Sequence, residues 1–407
     1  MIKSVRLVNW KSYEDSILYI DPLTMLIGTN ASGKSNVVDG LIFLSRIAKG
    51  VGIYQAINGD MAIKALRGGV DWVCRQGYDI FSIETVLEVE GIEYLYDISV
   101  KVKPASAQII QERLVKKGKK DIEYFHTEII DENDSNIPVT FWTNGKGQDI
   151  DLSRNTAILA QSRSLSLKKV EIIEAINAIV DMLGGIFVLD PIPNHMRDYS
   201  QISDQLASDA SNIAGVLASF DEKKKNEIEQ TICSYLKKVP EKDIQRVWAE
   251  RVGKFKTDAM IYCSEGWSEG SECVVDAKGM SDGTLRYLAI IAAMLTNDHI
   301  QLLVVEEVDN GLHPSRAKNL LQMLEELGKQ RGIDVVITTH NPALLGAAGT
   351  EMIPFITVAH RGQKGQSKLT LLEEITDLPK LISMGDIGAL STEGRIETAL
   401  SRKEGEL

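Results

Sequence analysis

The stretch GTNASGKS, residues 28–35, matches the pattern G-x-x-x-x-G-K-[ST] in full. A strand-like run, PLTMLIG, leads into it, and from Lys34 onward the apolar residues recur at helical spacing. In such a context the glycines allow backbone N–H groups to close around a phosphate, and the start of the helix adds its dipole. The stretch therefore predicts a phosphate-binding loop between a strand and a helix in an α/β fold.

The pattern also predicts what each residue of the loop does. Lys34 would neutralise the β- and γ-phosphates of a nucleotide, and Ser35 would hold Mg²⁺. The alternative is a Gly- and Ser-rich turn that carries a lysine by chance, and the flanking strand and helix weigh against it. We expect the nucleotide to contact the loop and the residue after it: Gly28, Thr29, Asn30, Ala31, Ser32, Gly33, Lys34, Ser35 and Asn36.

An acidic pair follows a buried strand in the last third of the chain, in the sequence LLVVEE at 302–307. Two adjacent acids at the carboxyl end of a strand can have separate tasks. We expect Glu306 to act through Mg²⁺ and Glu307 to polarise the water that attacks the nucleotide. The plain alternative is that the two glutamates only solvate the end of the strand.

Two further segments follow the acidic pair. VDNGLHP, 308–314, predicts a turn with Gly311 in a left-handed conformation and Pro314 opening a helix. VVITTHNP, 335–342, places His340 just after another buried strand. A single histidine there is usually structural, but beside two nucleotide motifs we expect His340 to sense the γ-phosphate.

The segment KGMSDGTLRY, 278–287, has two interpretations. In the first, Ser281 caps a helix whose apolar face consists of Leu285, Leu288, Ile291 and Ala292. In the second, the turn before the helix touches a nucleotide. Nothing within the segment decides between them.

Composition and charge limit the classes of protein that are possible. The chain has 407 residues, 44% hydrophobic and 25% charged, which is typical of a globular protein with a large core. Its formal charge of −12 argues against binding nucleic acid over the whole surface. The longest apolar run, LAIIAAML at 288–295, is too short to span a bilayer, so we expect a cytoplasmic protein without a membrane partner. Four scattered cysteines without a C-x-x-C pair predict neither zinc nor disulfides.

Three regions differ in their periodicity. Alternating apolar and polar residues predict an antiparallel sheet between about 78 and 143, and a mostly helical signal follows from about 165 to 240. Alternating strands and helices in the last third predict a parallel sheet. We therefore predict a first nucleotide-binding lobe with its β subdomain at 1–150, a mostly helical insert at 151–275, and a second nucleotide-binding lobe with a short tail at 276–407. No heptad persists long enough for a coiled-coil arm.

Together these residues resemble ABC-type ATPases in the SMC/RecF/OLD-like branch of stand-alone bacterial ATPases. Four ordered motifs carry the resemblance: GTNASGKSN, MSDGT, LLVVEE with VDNGLHP, and TTHNP. NWKSYEDS, 9–16, is also similar to the N-F-K-S-F opening of RecF- and SMC-type heads. The resemblance covers roughly 1–130 and 275–360, and it implies an α/β P-loop fold shaped like an ABC ATPase head, with ATP and Mg²⁺ as cofactors.

The resemblance further implies a homodimer, or a higher oligomer built from it. In such ATPases the segment corresponding to MSDGT reaches across the dimer to the nucleotide held by the other subunit. That assigns Ser281, Asp282 and Gly283 to the nucleotide, with Ser281 as a donor and Gly283 allowing close backbone approach. The chain departs from the usual pattern at Met280, Asp282, Thr284, Glu306 and Val308, which argues against a transporter subunit. Gln111 is the best candidate for the Q-loop.

The implied function is an ATP-hydrolysing dimeric switch. The segment between Lys34 and Glu306 is too short for the long arms of SMC proteins, and the tail after His340 is too short for a TOPRIM nuclease domain. We therefore expect a bacterial anti-phage defence ATPase that controls a separately encoded nuclease or toxin. The alternatives are a RecF-like repair ATPase that binds DNA, and a scaffold that binds ATP with little turnover.

Overall fold

The computed structural model describes residues 1–128, 134–142, 147–238, 244–266, 273–311, 313–375, 378–383 and 385–405. The chain divides into two compact units. Unit 1 comprises residues 1–186, 355–376 and 397–407, and unit 2 comprises residues 187–354 and 377–396. The sequence predicts boundaries at 150 and 275, which divide the chain by motif and periodicity and not into compact units. These boundaries stay a prediction.

The strands, in chain order, are β1 (Ile2–Trp10), β2 (Tyr13–Tyr19), β3 (Leu23–Ile27), β4 (Ile80–Val89), β5 (Ile92–Lys103), β6 (Ser106–Lys116), β7 (Ile122–Thr127), β8 (Asn136–Phe141), β9 (Gln148–Ser153), β10 (Ile186–Leu189), β11 (Ser200–Gln201), β12 (Ile244–Val252), β13 (Asp258–Glu265), β14 (Cys273–Asp276), β15 (Leu302–Val305), β16 (Asp334–Thr339), β17 (Ile356–Arg361) and β18 (Ser367–Leu371).

The α-helices are α1 (Lys34–Ala48), α2 (Ile53–Asn58), α3 (Gly69–Val73), α4 (Ile158–Ser162), α5 (Val170–Gly184), α6 (Pro193–Met196), α7 (Ile213–Ser219), α8 (Glu222–Leu236), α9 (Asp282–Thr296), α10 (Ala317–Arg331), α11 (Pro342–Ala348), α12 (Leu378–Ile382), α13 (Ile387–Thr392) and α14 (Arg395–Gly405). Short 3₁₀ turns cover Pro314–Arg316, Thr350–Phe355 and Leu372–Glu374. The longest helices that the structure describes have 15 residues, so no coiled-coil arm is present in the described part of the chain.

Unit 1 is built on a sheet with the strand order β3-β17-β18-β2-β1-β4-β5-β6-β7-β8-β9. β3 and β17 run parallel, and every pairing from β2 onward to β9 is antiparallel. The antiparallel sheet predicted between about 78 and 143 is therefore confirmed. In β5 the alternation holds only in part: Tyr96 and Ile98 are buried and Asp97 is half-buried, but Leu95 and Ser99 are buried too.

An aromatic cluster fastens α1 to this sheet. The ring of Phe81 in β4 meets that of Trp10 at 4.8 Å and that of Phe43 in α1 at 5.4 Å, both edge to face. The indole N–H of Trp10 also donates to the carbonyl oxygen of Asn36, 2.7 Å away, in the first turn of α1. The start of α1, where the phosphate-binding loop ends, is thus held against β1.

Unit 2 contains the parallel pair β15–β16, with β10 beside β15. All four residues of β15 are buried, and α10 connects the two strands, as the sequence predicts. A second, antiparallel sheet consists of β11, β13, β12 and β14.

Strands β12 to β14 lie in the region that the sequence analysis expected to be mostly helical. A bulge between Ile244 and Arg246 shifts the alternation of β12, which weakens its period-two signal. Among the helices that the structure describes, none combines the length and the apolar character needed to cross a bilayer.

Candidate nucleotide site and switch region

The phosphate-binding loop, residues 28–35 and hereafter the P-loop, connects the fully buried β3 to α1. Its backbone is left-handed at Gly28, Ala31 and Gly33, with φ values of 145°, 63° and 116°. A Cβ on Gly28 would lie 2.2 Å from the carbonyl oxygen of Ala359, and one on Gly33 would lie 2.6 Å from Ser367 Oγ. Both positions therefore require glycine for space as well as for conformation.

Polar groups of the P-loop point into the loop itself. Lys34 Nζ donates to the carbonyl oxygens of Gly28, at 2.5 Å, and Thr29, at 3.1 Å. Ser32 Oγ is buried and has no hydrogen-bond partner in the described part of the chain. A concave backbone, an ammonium group above it and an unpaired hydroxyl suit an anion with several oxygens, such as a polyphosphate.

An ion cluster, hereafter the Asp39 cluster, lies beside the end of the P-loop and joins a buried carboxylate to one buried lysine and one exposed arginine. Asp39 of α1 is 2% exposed and accepts from Lys11 Nζ at 2.6 Å and from Arg67 at 3.0 Å. Lys11 is also buried and donates to the carbonyl oxygen of Arg67, and Arg67 donates to that of Ser35 at 3.1 Å. One carboxylate thus positions two cations beside the last residue of the P-loop.

A cavity of about 620 Å³, hereafter the P-loop cavity, opens next to Asn36. The charged and aromatic residues that line it are Lys11, Arg67, Arg75, Arg361, Lys364, Asp71 and Trp72, so cations outnumber acids. Arg361 Nε also donates to the carbonyl oxygen of Ala31 at 2.9 Å, which fixes the tip of the P-loop from β17. The cavity suits an anionic ligand that has a flat, partly apolar portion.

The acidic pair at the end of β15 divides into a buried and an exposed member. Glu306 is 8% exposed, and its N–H donates to the carbonyl oxygen of Leu189 at 3.1 Å, whereas Glu307 is exposed. Glu307 has a left-handed backbone, with φ 44°, and its N–H donates to Thr338 Oγ1 at 2.8 Å. A left-handed glutamate costs of order 1–2 kcal/mol, and such strain is found most often at functional positions.

The turn after the acidic pair follows the sequence prediction. Gly311 is left-handed, with φ 72°, and Pro314 opens a short 3₁₀ turn before α10. Asn310 donates through its side chain to Glu307 Oε2 at 3.3 Å. Asp309 is 8% exposed, and its Oδ1 has no hydrogen-bond partner among the described residues. Leu312 lies outside the described residues.

His340 follows β16 and is exposed. The backbone on either side is fixed, since Asn341 N–H donates to Thr339 Oγ1 and Ala343 N–H donates to Asn341 Oδ1, both at 2.9 Å. An exposed imidazole on a fixed backbone suits a group that reports on a ligand.

The segment before α9, residues 277–283 and hereafter the signature turn, does form a helix cap. Ser281 accepts at Oγ from the N–H of Thr284 at 3.2 Å, and the four apolar residues predicted for the inner face of α9 are fully buried. Ser281 and Asp282 are nevertheless exposed. A Cβ on Gly311 would lie 3.9 Å from Asp282 Cβ, so the signature turn and the turn after the acidic pair share one surface of unit 2.

Gln111, the candidate for the Q-loop, is exposed on β6, seven strand positions from β3, and does not line the P-loop cavity.

Several residues of these sites were not found from the sequence. Arg67, Arg361 and the Asp39 cluster come from separate parts of the chain and have no local pattern. Only Lys11 had a signal, because it lies in the N-F-K-S-F-like opening.

Mg²⁺ fits the residues present only in company with a nucleotide. Ser35 offers a hydroxyl and Glu306 a carboxylate, which are hard oxygen ligands. Among the described residues, no cluster of three or more His, Cys, Asp or Glu side chains could hold a metal ion. Because Mg²⁺ commonly binds through one or two protein oxygens together with phosphates and water, the hydroxyl of Ser35 at the end of the P-loop suits an ion that is bound together with a nucleotide.

Comparisons with known proteins show which proteins the chain is similar to. Residues 199–346 match a family model described as "AAA domain, putative AbiEii toxin, Type IV TA system". Over nearly its whole length the chain is similar to a solved structure titled "Crystal structure of the SmcHead bound to the C-winged helix domain of ScpA", with a TM-score of 0.53 at 14% identity. The alignment covers 91% of this chain and 97% of that one. The fold is therefore that of an SMC head, an α/β P-loop fold like that of ABC ATPases.

Two curated relatives match part of the sequence. The chain is 26% identical over 111 residues to the "DNA replication and repair protein RecF" of Thermosynechococcus vestitus, and 27% identical over 101 residues to the "DNA double-strand break repair Rad50 ATPase" of Sulfolobus acidocaldarius. These matches span 27% and 25% of this chain, but only 25% and 10% of the relatives. The resemblance to ABC-type ATPases of the SMC/RecF-like branch is thereby confirmed.

Proposed function

We propose that this protein binds and hydrolyses ATP and works as a homodimeric switch. The P-loop is the observation that carries the proposal. Its two glycine positions leave no room for a Cβ, and its lysine and buried serine face into the loop. Arg361 and the Asp39 cluster hold this shape through contacts within the protein, which is the preorganisation that phosphate binding needs.

The P-loop cavity is proposed to hold the nucleoside part of ATP. It begins at Asn36, the residue after the P-loop, and offers the exposed ring of Trp72 beside cationic side chains. Phosphates bound by the P-loop would leave the ribose and base directed into this space. The cavity volume is in the range of small-molecule sites.

The acidic pair is proposed to carry out the hydrolytic chemistry. Glu306 would act as a ligand of Mg²⁺, which neutralises charge on the phosphates when it is bound. Glu307, exposed and held by Thr338 and Asn310, would orient and polarise the attacking water. His340 would contact the γ-phosphate. These assignments rest on the resemblance together with the burial of Glu306 and the backbone geometry of Glu307.

The signature turn is proposed to act on the nucleotide held by a second copy of the chain. It presents Ser281 at the surface, at the start of a 15-residue helix, and a hydroxyl at a helix N-terminus suits an anion. A two-fold dimer would then bury two nucleotides between identical surfaces. Closure would depend on ATP, because phosphate oxygens supply the contacts.

The cellular role proposed from the resemblance is control of a separately encoded nuclease or toxin in a bacterial anti-phage defence system. The match to a family described with a type IV toxin–antitoxin system favours this context. A second candidate is a DNA-binding repair ATPase, which the RecF and Rad50 matches favour. DNA binding that requires ATP and weakens steeply with salt would support the second candidate.

The variant Ser281→Arg tests the proposal. A bulky cation in the signature turn should block the approach of the second copy, so we expect ATP-dependent dimers and turnover to be lost. Binding of ATP to the monomer should stay close to that of the parent chain. Light scattering with and without ATP, phosphate release and equilibrium nucleotide binding measure the three quantities.

Ser234→Arg is the matched control, since Ser234 is an exposed serine on α8 of unit 2. Normal turnover in Ser281→Arg would return the signature turn to a plain helix cap. Nucleotide-dependent dimers of the parent chain without phosphate release would instead favour a scaffold that binds ATP.

A further inference from the structure

The signature turn is held by one arginine that lies far away in the sequence. Arg197 follows α6, and its Nη1 donates to the carbonyl oxygens of Ala277, Lys278 and Met280 at 3.1, 3.0 and 2.7 Å. Its Nη2 donates to Asp282 Oδ1. A single guanidinium therefore joins three backbone oxygens of the turn to the acidic side chain that begins α9.

The loop that carries Arg197 is itself fixed within unit 2. Met196, the residue before Arg197, is 1% exposed, and α6 contacts α9. Backbone hydrogen bonds join Asp190 to Ser208 and Ile192 to Asp209, at 2.8 and 3.0 Å. The Arg197 side chain is only 24% exposed. It consequently approaches the signature turn from a supported position.

Asp282 creates an electrostatic problem for a turn that is to receive phosphate. A carboxylate in the first turn of a helix is favourable for the free helix, but it repels an incoming anion. Its side chain is 60% exposed, so solvent alone would leave the charge at the surface of the turn. The guanidinium of Arg197 supplies the opposite charge at hydrogen-bond distance and directs the carboxylate toward itself.

We infer that Arg197 is a positioning residue for the signature turn. It fixes the three carbonyl groups so that Ser281 stays at the surface at the start of α9, and it neutralises Asp282 so that the turn accepts a phosphate. This role rests on the proposed function, because it presupposes that the turn meets a nucleotide held by a second copy. Arg197 does not itself touch the nucleotide.

The variant Arg197→Gln tests the inference while keeping amide donors for the turn. We expect turnover to fall about tenfold or more, since the charge of Asp282 is then uncompensated. ATP binding by the monomer should remain within about twofold, because the P-loop is unchanged. Adding Asp282→Asn to Arg197→Gln should restore turnover by about threefold or more, a rescue that a purely structural role of Arg197 would not produce.

Arg251→Gln is the matched control. Arg251 also lies in unit 2 and donates to backbone carbonyl oxygens, those of Ala218 and Ser219, away from the signature turn. Its turnover should equal that of the parent chain. Parent-like turnover in Arg197→Gln, or no rescue by Asp282→Asn, beside lost turnover in Ser281→Arg would overturn the role of Arg197 alone. Absence of ATP turnover in the parent chain would overturn the proposed function and this inference together.

Discussion

The P-loop and the signature turn both lead into a 15-residue helix, yet they are held in different ways. The P-loop is fixed by its own backbone, with left-handed residues packed so closely that a Cβ has no space at Gly28 or Gly33. The signature turn has an ordinary capping conformation, with φ −70° and ψ 151° at Ser281. Its carbonyl groups and the carboxylate of Asp282 accept hydrogen bonds from Arg197, which lies 85 residues before Asp282.

The difference indicates which kind of substitution should impair each turn most. In the P-loop, small changes of the backbone should distort the loop most, because its shape depends on two positions that have no room for a Cβ. In the signature turn, substitution of a distant charged residue should do most of the damage. Two predictions follow from the structure of unit 1. The first tests the steric account of the P-loop, and the second tests the stability of the unit that carries it.

The largest effect is expected for Gly28→Ala. Its Cβ would lie 2.2 Å from a backbone oxygen of β17, so either the P-loop or the strand must move. A displaced loop loses several hydrogen bonds to phosphate, and we expect ATP affinity to fall by roughly a hundredfold or more. Calorimetric titration with ATP and Mg²⁺ measures the affinity.

Gly50→Ala is the control for the conformational cost alone. Gly50 is also left-handed, with φ 81°, but a Cβ there would meet nothing within 4 Å. We expect this variant to lose roughly 1 kcal/mol of stability and to bind ATP as the parent chain does. Equal loss of affinity in both variants would contradict the steric account of the P-loop.

A smaller effect is expected from the buried Glu112 of unit 1, the unit that carries the P-loop. This residue should make the stability of unit 1 depend on pH. Burial raises the pKa of Glu112 to about 7, although the N–H groups of Ile158 and Leu159 and the hydroxyl of Tyr96 donate to its carboxylate. Because the folded pKa lies above the unfolded value of 4.5, the folded chain binds the proton more tightly. The free energy of unfolding should therefore decrease as pH rises through this window, by roughly 3 kcal/mol in all.

Hydrogen exchange in β6 and α4, corrected for the intrinsic rate, measures this dependence between pH 5 and pH 7.5. The variant Glu112→Gln should flatten it, whereas Glu93→Gln, at an exposed position on β5, should not. A pH dependence that survives in Glu112→Gln would assign the effect to another group.

The sequence predicts the parts of the site that lie within one short segment. The P-loop, the buried strand before the acidic pair, the left-handed Gly311 and the cap at Ser281 each follow from local spacing and residue type. The antiparallel sheet of unit 1 follows from the alternation of apolar and polar residues, clearest in β4. Patterns of this kind survive because the same few residues determine both the signal and the structure.

Contacts between distant segments have no such signal. Arg361 meets the tip of the P-loop across 330 residues, and Lys11 and Arg67 meet at Asp39 from either side of α1. Arg197 has no pattern that would link it to the signature turn. The two longer strands of the second sheet were missed because neither alternates throughout: a bulge lies at the start of β12, and Ala259, Met260 and Ile261 of β13 are all buried. Long-range pairing is set by the whole fold rather than by local sequence.

The central claim is that the P-loop of one copy works with the signature turn of another. Mixing Lys34→Ala with Ser281→Ala tests it most directly, because Ser281→Ala removes the hydroxyl donor of the signature turn without adding bulk that would block the dimer, and each variant alone is defective at both of its sites. In a mixed dimer, the intact P-loop of the Ser281→Ala copy faces the intact signature turn of the Lys34→Ala copy, so one complete site forms. We predict that ATP turnover reappears in the mixture, at up to about a quarter of the parental rate for random pairing with independent sites. A mixture as inactive as either variant alone would contradict the claim.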